Sequence, residues 1–491
     1  MSFSERLALR FAVFAAGALL MALEIAAFRI IRKTFGSALR ETTAVIAVFL
    51  AAMSAGYWAG GRVGDRWPRA ITLVATLVAA AASLMFVPAI DQLLSPRIAS
   101  SSFALSTHAF LATMILFAIP TFLLAATSPI AIRLFATTTG QSGSTAGSIS
   151  ALSTAGSIAG SIVTAFLLID WLASIARTVT FVAMATLITA VIVLIAQRVR
   201  PRFTFVAAGA LVVILASSLL LRARVEAVGP KPVFVGDSAY HHVVVTDHGS
   251  MRDLRFNVGI QSTMRRSDPF GPGLWYTDAF HIGRLLRPDA KRILLIGLGG
   301  GTAARQFSHY YPDAEVDVVD VDPLVVDVAQ RYFAVKPDAR LRIHISDGRT
   351  FLRQTQKTWD LIVIDAYSTN RYGDTIPPHL VTREFFDEVS KRLSETGIVH
   401  FHCAFANTRL MEALHATMRS VFPNVLRTRG ELLASNLPMI VSKDVLRDRA
   451  AKTQAARLPE LPRLIAELKD APPPRGSLVL TDDYAPVDTL L

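Results

Sequence analysis

Cysteine is all but absent: Cys403 is the single one in 491 residues, which excludes an intrachain disulfide framework. Acids are scarce in one part of the chain. Residues 1–232 hold 7 Asp+Glu against 18 Lys+Arg, whereas the remainder holds 31 against 32. The formal charge of +12 therefore belongs to loops between apolar segments, the bias that lipid headgroups and membrane insertion select. The second part lacks a cluster of Lys and Arg, which excludes a nucleic-acid footprint there. The first apolar stretch lacks a cleavage site and is too long for a signal peptide. The apolar part also lacks the paired broken helices of transporters, and Glu24 is its one clearly buried acid.

What is present begins with seven apolar stretches, near residues 8–31, 42–60, 70–90, 103–126, 146–169, 176–197 and 203–221. Each is long enough, or nearly so, to cross about 30 Å of hydrocarbon. An odd number puts the termini on opposite sides. Lys and Arg divide nine against eight between the two sides, so they do not orient the bundle. Glu24 is read as paired with a neighbouring helix and Arg29 as reaching the interface. Gly143, Gly147, Gly156 and Gly160 are read as a stripe for close helix contact. Val228 to Pro232 forms a short, stiff linker.

From Val233 the pattern changes to short alternating strands, read as a hairpin of 240–247 and 254–261 split at Asp247-His248-Gly249. Residues 292–322, RILLIGLGGGTAARQFSHYYPDAEVDVVDVD, then give an apolar run, a glycine turn (Gly297, Gly299, Gly300, Gly301), a helix and a second run ending on Asp320 and Asp322. That is a nucleoside-binding unit: glycines admit the ligand to the backbone, and an acid about 20 positions on takes the ribose hydroxyls. Strands near 292–296, 315–320, 342–346, 360–365, 397–402 and 436–441, with helices between, predict a doubly wound parallel sheet. Asp320, Asp347 and Asp365 end three of these strands, on the rim where such sheets bind ligands. The expected architecture is an all-α transmembrane bundle of about seven helices (1–225), a linker and β-hairpin region (226–290), and a Rossmann-like, methyltransferase-type α/β domain (291–491).

Residues 233–445 resemble the spermidine synthase (polyamine aminopropyltransferase) family, and the whole chain resembles its membrane-fused branch. SAYHHVVVTD, NVGIQS, GLGGGT, VVDVD, SDGRTFL, DLIVIDAYS and IPPHLVTREFF follow the family's motifs in order, and TDDYAPVD resembles the branch's ending. The resemblance implies aminopropyl transfer from decarboxylated S-adenosylmethionine to a di- or polyamine, releasing methylthioadenosine. It implies Asp320 on the ribose hydroxyls, Asp347 and Gly348 on the adenine edge, and Gln261 and Tyr276 facing the aminopropyl group and acceptor. Asp365 would bind the attacking ammonium and remove its proton, because a protonated amine has no lone pair. A neutral leaving group calls for no metal and no prosthetic group. The expected partners are a polyamine or other amine, the lipid bilayer and a second copy in a dimer, with no nucleic acid. The expected location is a bacterial-type inner or plasma membrane, with the catalytic domain in the cytoplasm where nucleoside cosubstrates are made.

The chain departs from the family pattern in three places. Gly300 stands where soluble members carry an aspartate on the donor's amine, and leaves room for the carboxylate of intact S-adenosylmethionine. Ser368 replaces a second aspartate, with Asp374 in an enlarged loop (368–375) as its candidate substitute, and His241 replaces a glutamine. The alternatives are therefore methyl or other alkyl transfer from S-adenosylmethionine, and a transporter or sensor that binds without turnover. His379 and His402 are read as structural.

Overall fold

The computed structural model describes residues 2–490 apart from 36–38, 100, 102–104, 136–141, 173, 198–215, 218–231, 258, 371–372, 404–407, 440–441, 471–472 and 474. The chain divides into two compact units, Met1–Pro230 and Lys231–Leu491.

The first unit is all helical. Six helices are long and apolar enough to cross a membrane: Phe3–Phe35, Glu41–Arg66, Ala70–Ile98, Thr107–Phe135, Gly143–Leu168 and Ile175–Ala196. The seventh expected stretch (203–221) lies outside the described residues except for helical Ala216 and Ser217, and so does the linker up to Lys231. The small-residue stripe is only half a contact. A β-carbon on Gly156 or Gly160 would stand 2.0 and 2.2 Å from the carbonyls of Phe14 and Ala18, whereas Gly143 and Gly147 face open space. A second stripe, Gly56 and Gly60, meets the carbonyls of Phe122 and Ala126 at 2.4 and 2.7 Å. Its four-residue spacing is the usual signature of close helix packing, and only the first stripe was read from sequence. Large apolar side chains such as Phe166, Trp171 and Ile195 face outward.

The second unit begins with a four-stranded antiparallel sheet: β1 (Phe234–Asp237), β2 (His242–His248), β3 (Met251–Phe256) and β4 (Gly259–Arg265). The expected strand 254–261 is thus two strands, because Asn257 adopts a positive φ of 55° and turns the chain. Val243, Val245, Leu254, Phe256 and Met264 pack this sheet on Val325, Val328 and Phe333, so it is anchored to the helix Pro323–Tyr332.

The main sheet follows. Its strands are β5 (Arg292–Ile296), β6 (Glu315–Asp320), β7 (Leu341–Ile345), β8 (Trp359–Ile364), β11 (Leu393–His402), β12 (Asn424–Thr428), β13 (Glu431–Ser435) and β14 (Lys469–Asp470). Between β8 and β11 lies a small antiparallel pair, β9 (Ser368–Asn370) and β10 (Gly373–Thr375), where a loop was expected. The spatial order is β14-β12-β13-β11-β8-β5-β6-β7. The five strands from β11 to β7 are parallel, and β13, β12 and β14 are antiparallel. The sheet is therefore mixed, and residues 436–439 are not a strand. The two-residue turn Arg429-Gly430, with Gly430 at φ 79°, folds β12 directly onto β13. Chain order reverses between β5 and β8, which opens a ligand crevice at their carboxyl ends.

Candidate active site

The glycine turn leaves β5 at that crevice. Gly297 has φ 102°, and a β-carbon there would stand 2.0 Å from the carbonyl oxygen of Asp365. Gly299 and Gly301 also adopt positive φ, and Gly301 precedes the helix Thr302–Tyr310. Buried Arg305 pins the turn from behind, donating to the carbonyls of Gly300, Phe333 and Pro269. Burial pushes its guanidinium down to about 10. The space expected at Gly300 is filled: its N–H donates to Ser262 Oγ at 2.9 Å, and a β-carbon would meet Ser262 Cβ at 2.6 Å. Ser262 of β4 therefore stands where a side chain at position 300 would begin.

Asp320 ends β6. Its carboxylate accepts from the N–H of Leu298 in the glycine turn and of Asp322, both at 2.9 Å. Burial raises its pKa and these two N–H groups oppose the rise. The helix cap is instead Asp322, which accepts from Leu324 N–H and also binds Ser238 and His241 of the small sheet. That leaves Asp320 facing the turn, with lone pairs beyond those engaged.

Asp347 caps the helix Gly348–Gln354 through Thr350 N–H at 2.9 Å. Its other oxygen lies 2.8 Å from His379 Nε2, and this bond holds the carboxyl well below the usual range. His379, read as structural, thus bonds directly to a site carboxylate. Gly348 packs on Ile296 at the end of β5, where a β-carbon would come within 2.5 Å. Arg349 is nearly buried and pairs with Glu388 and Asp482, so the TDDYAPVD segment is stapled to the same helix.

Gln261 is the extra residue of a bulge in β4: Leu254 pairs with Ser262 and Arg255 with Ile260. Bulges redirect side chains and recur beside active sites. The bulge puts Gln261 next to the serine that holds Gly300.

Asp365 follows β8, and its N–H donates to the Ile296 carbonyl at 2.8 Å, directly beside the glycine turn. Tyr276 lies on the 3-10 turn Trp275–Phe280 and stacks on His402 at 4.0 Å with an interplanar angle of 11°. In β11, Phe401 pairs with Ile364, so His402 is level with Asp365. His402 in turn pairs with Glu431 of β13. The pairing of His402 with Glu431 was not foreseen: it depends on a strand that apolar pattern alone placed at 436–441. Asp374 pairs with Thr369 in the β9–β10 backbone, and its side chain lies outside the described residues. The structure thus gathers Gly297, Gly299, Gly301, Asp320 and Gln261 around the turn, and Tyr276 and Asp365 on the adjoining rim. Asp347 and Gly348 stand at the start of the helix packed on β5.

A Rossmann-like sheet with a glycine turn and carboxylates on its rim has the arrangement in which doubly wound sheets bind nucleosides, outside the carboxyl ends of the strands. Residues 276–432 match the spermine/spermidine synthase domain. A polyamine aminopropyltransferase from Vibrio vulnificus is 29% identical over 274 residues, covering 52% of this chain and 89% of the relative. A probable polyamine aminopropyl transferase from Bifidobacterium longum is 29% identical over 282 residues, covering 52% of this chain and 61% of the relative. The crystal structure of spermidine synthase from Thermotoga maritima aligns over 43% of this chain and 74% of its own, at 20% identity and a TM-score of 0.37.

Proposed function

We propose that the chain is an integral membrane aminopropyltransferase, with a helical unit (1–225) in the bilayer and a catalytic part formed by 226–290 and 291–491. It moves the aminopropyl group of decarboxylated S-adenosylmethionine to a di- or polyamine. The observation that carries this reading is the acidic rim: Asp320, Asp347 and Asp365 follow three parallel strands around the crevice. Asp320 takes the ribose hydroxyls, and Asp347 with Gly348 takes the adenine edge. Gln261 and Tyr276 flank the transferred group and the acceptor, and Asp374 substitutes for the acceptor-binding aspartate that Ser368 replaces. Asp365 draws the cationic amine in and accepts its proton, and the freed lone pair attacks the methylene beside the sulfonium. The membrane assignment rests on the six long apolar helices and their outward-facing apolar side chains. We further propose a cytoplasmic orientation of the α/β unit, dimerisation, and no role for nucleic acid.

The test is mass spectrometry of the full chain in detergent, incubated separately with S-adenosylmethionine and its decarboxylated form and a broad set of amines. Methylthioadenosine together with an amine heavier by one aminopropyl unit, both lost in Asp365→Asn, is the expected result. S-adenosylhomocysteine would replace this reading with methyl transfer, and tight donor binding without turnover would replace it with a sensor or transporter.

A further inference from the structure

Glu431 is completely buried, yet it carries an ionisable group. Such groups persist in a sealed interior only with partners. Its Oε1 lies 2.6 Å from His402 Nδ1 and its Oε2 lies 3.0 Å from His400 Nε2. Neither histidine nor the glutamate has a task in aminopropyl transfer as set out above. Their placement is nevertheless specific. Pairing of β11 with β8 and with β13 sets Asp365, His402 and Glu431 in one row across three adjacent strands at the rim. Val363 and Leu433 point into the same core as Phe280, and the alternation continues to Asp365 and Glu431 on that face. Phe280 meets both imidazoles edge-on. Tyr367, two residues past Asp365, donates its hydroxyl to the His402 carbonyl, which ties the segment after the base to the same strand.

A carboxyl on Nδ1 fixes the tautomer and orientation of an imidazole and leaves Nε2 on the opposite edge as the proton-accepting atom. The face of that ring stacks on Tyr276, the aromatic assigned to the acceptor. We propose that His402, oriented by Glu431, is a second proton acceptor of the acceptor pocket and receives at Nε2 the proton that Asp365 draws from the amine. This inference rests on the aminopropyl-transfer reading. In the step, an ammonium N–H bond breaks and its proton passes to the Asp365 carboxylate and on to His402. The freed lone pair forms the N–C bond, and the C–S electrons return to sulfur to give the neutral thioether. The product is a secondary ammonium, and one proton leaves to solvent per turnover. Burial raises the Glu431 carboxyl, with Asp365 adding to the rise, and lowers His402 and His400, the latter to about 3. The resting network is accordingly uncharged, and an imidazolium formed in transit stands between two carboxyl groups.

The test compares wild type, E431Q, E431D and H402Q as full-length protein in detergent, with decarboxylated S-adenosylmethionine and an amine the wild type converts. The expected result is a kcat at least tenfold lower in E431Q and H402Q, with partial recovery in E431D. Donor KM and methylthioadenosine affinity stay within twofold, because the nucleoside contacts are separate. The acidic limb of the pH–rate profile shifts in both low-activity variants. The titratable groups bearing on that limb are Asp365 from β8, Tyr367 beyond it, Tyr276, His400 on β11 and His281, which acts on His400. Wild-type kcat and pH profile in both variants would overturn the inference, and so would equal loss of methylthioadenosine binding, which marks a structural role. Should E431Q fail to fold, H402Q alone decides. Absence of turnover by the wild type overturns the aminopropyltransferase reading together with the relay; the other adverse outcomes overturn only the relay.

Discussion

In the helical unit the buried polar residues are mostly threonines, and several satisfy themselves within one turn: Thr113, Thr186 and Thr189 donate to Ala109, Val182 and Ala185. In the α/β unit the buried polar residues include Asp278, Arg305, Asp317, Asp322 and Glu431, each bonded to distant parts of the chain. The first unit associates through shape, with glycines bringing helix backbones together. The second spends folding energy on burying charge, and two of these groups, Arg305 and Asp322, touch the glycine turn or Asp320 directly. In the membrane setting proposed above, the first unit gains little from sequestering hydrocarbon and relies on close packing. The second, proposed to lie in water, gains from its apolar core what burying these acids costs.

The sharpest break in that comparison is chemical. Asp365→Asn keeps the shape of the rim and removes the proposed base, so kcat should fall by about 10²–10⁴ with methylthioadenosine affinity unchanged. Single-turnover assays beside isothermal titration check it; equal loss of both would move Asp365 to a binding role. Next, Arg305→Met removes the buried donor to three carbonyls. It should cost about 3–5 kcal/mol and weaken donor binding through the turn, seen in denaturant melts followed by intrinsic fluorescence. The corresponding change in the helical unit, Gly156→Val, forces a side chain against the Phe14 carbonyl and should cost about 1–3 kcal/mol of helical-unit stability. Methylthioadenosine affinity should stay within twofold; circular dichroism melts in detergent with a binding titration test both statements.

The smallest effect has the opposite sign. Burial pushes Asp278 up to about 6, and its Oδ1 has no hydrogen-bond partner among the described residues. A raised carboxyl favours folding at low pH, and that contribution is lost as pH rises from its ordinary 3.8 through about 6. Asp278→Asn retains an acceptor for Glu460 N–H and removes the buried charge, so it should stabilise by about 1–2 kcal/mol at pH 7. The gain should vanish below pH 4 in melting curves taken across pH. A gain that persists there would place its origin outside ionisation.

Much of the α/β architecture was legible because β5, β6 and β8 are buried along most of their length and run into glycine or aspartate. Arg292–Ile296 and Glu315–Asp320 match the predicted runs residue for residue. The far edge was not legible. Leu437-Pro-Met-Ile has the apolar content of a strand, whereas the true strands hold only short apolar runs, Val425-Leu426 and Leu432 to Ala434, flanked by polar residues around Arg429-Gly430. That misplacement concealed Glu431, because cross-strand neighbours follow from register and not from sequence distance. Asp320, Asp347 and Asp365 stood out as candidates because each sits at or just after a strand end. Arg305, Ser262 and His379 were not, since each acts by reaching an element far away in the chain.

The contact between Gly297 and the Asp365 carbonyl limits how this protein can be re-engineered. The proposed function assigns donor and acceptor recognition to different segments, yet Gly297, the first residue of the glycine turn, lies against the main chain of the proposed base. A replacement for the segment after β8, brought in to change the amine accepted, must preserve the path of that carbonyl or displace the nucleoside turn with it. Grafting therefore has to carry β5 and β8 as a matched pair, and acceptor specificity is more freely altered from Tyr276 and β13, which approach the rim from outside that contact.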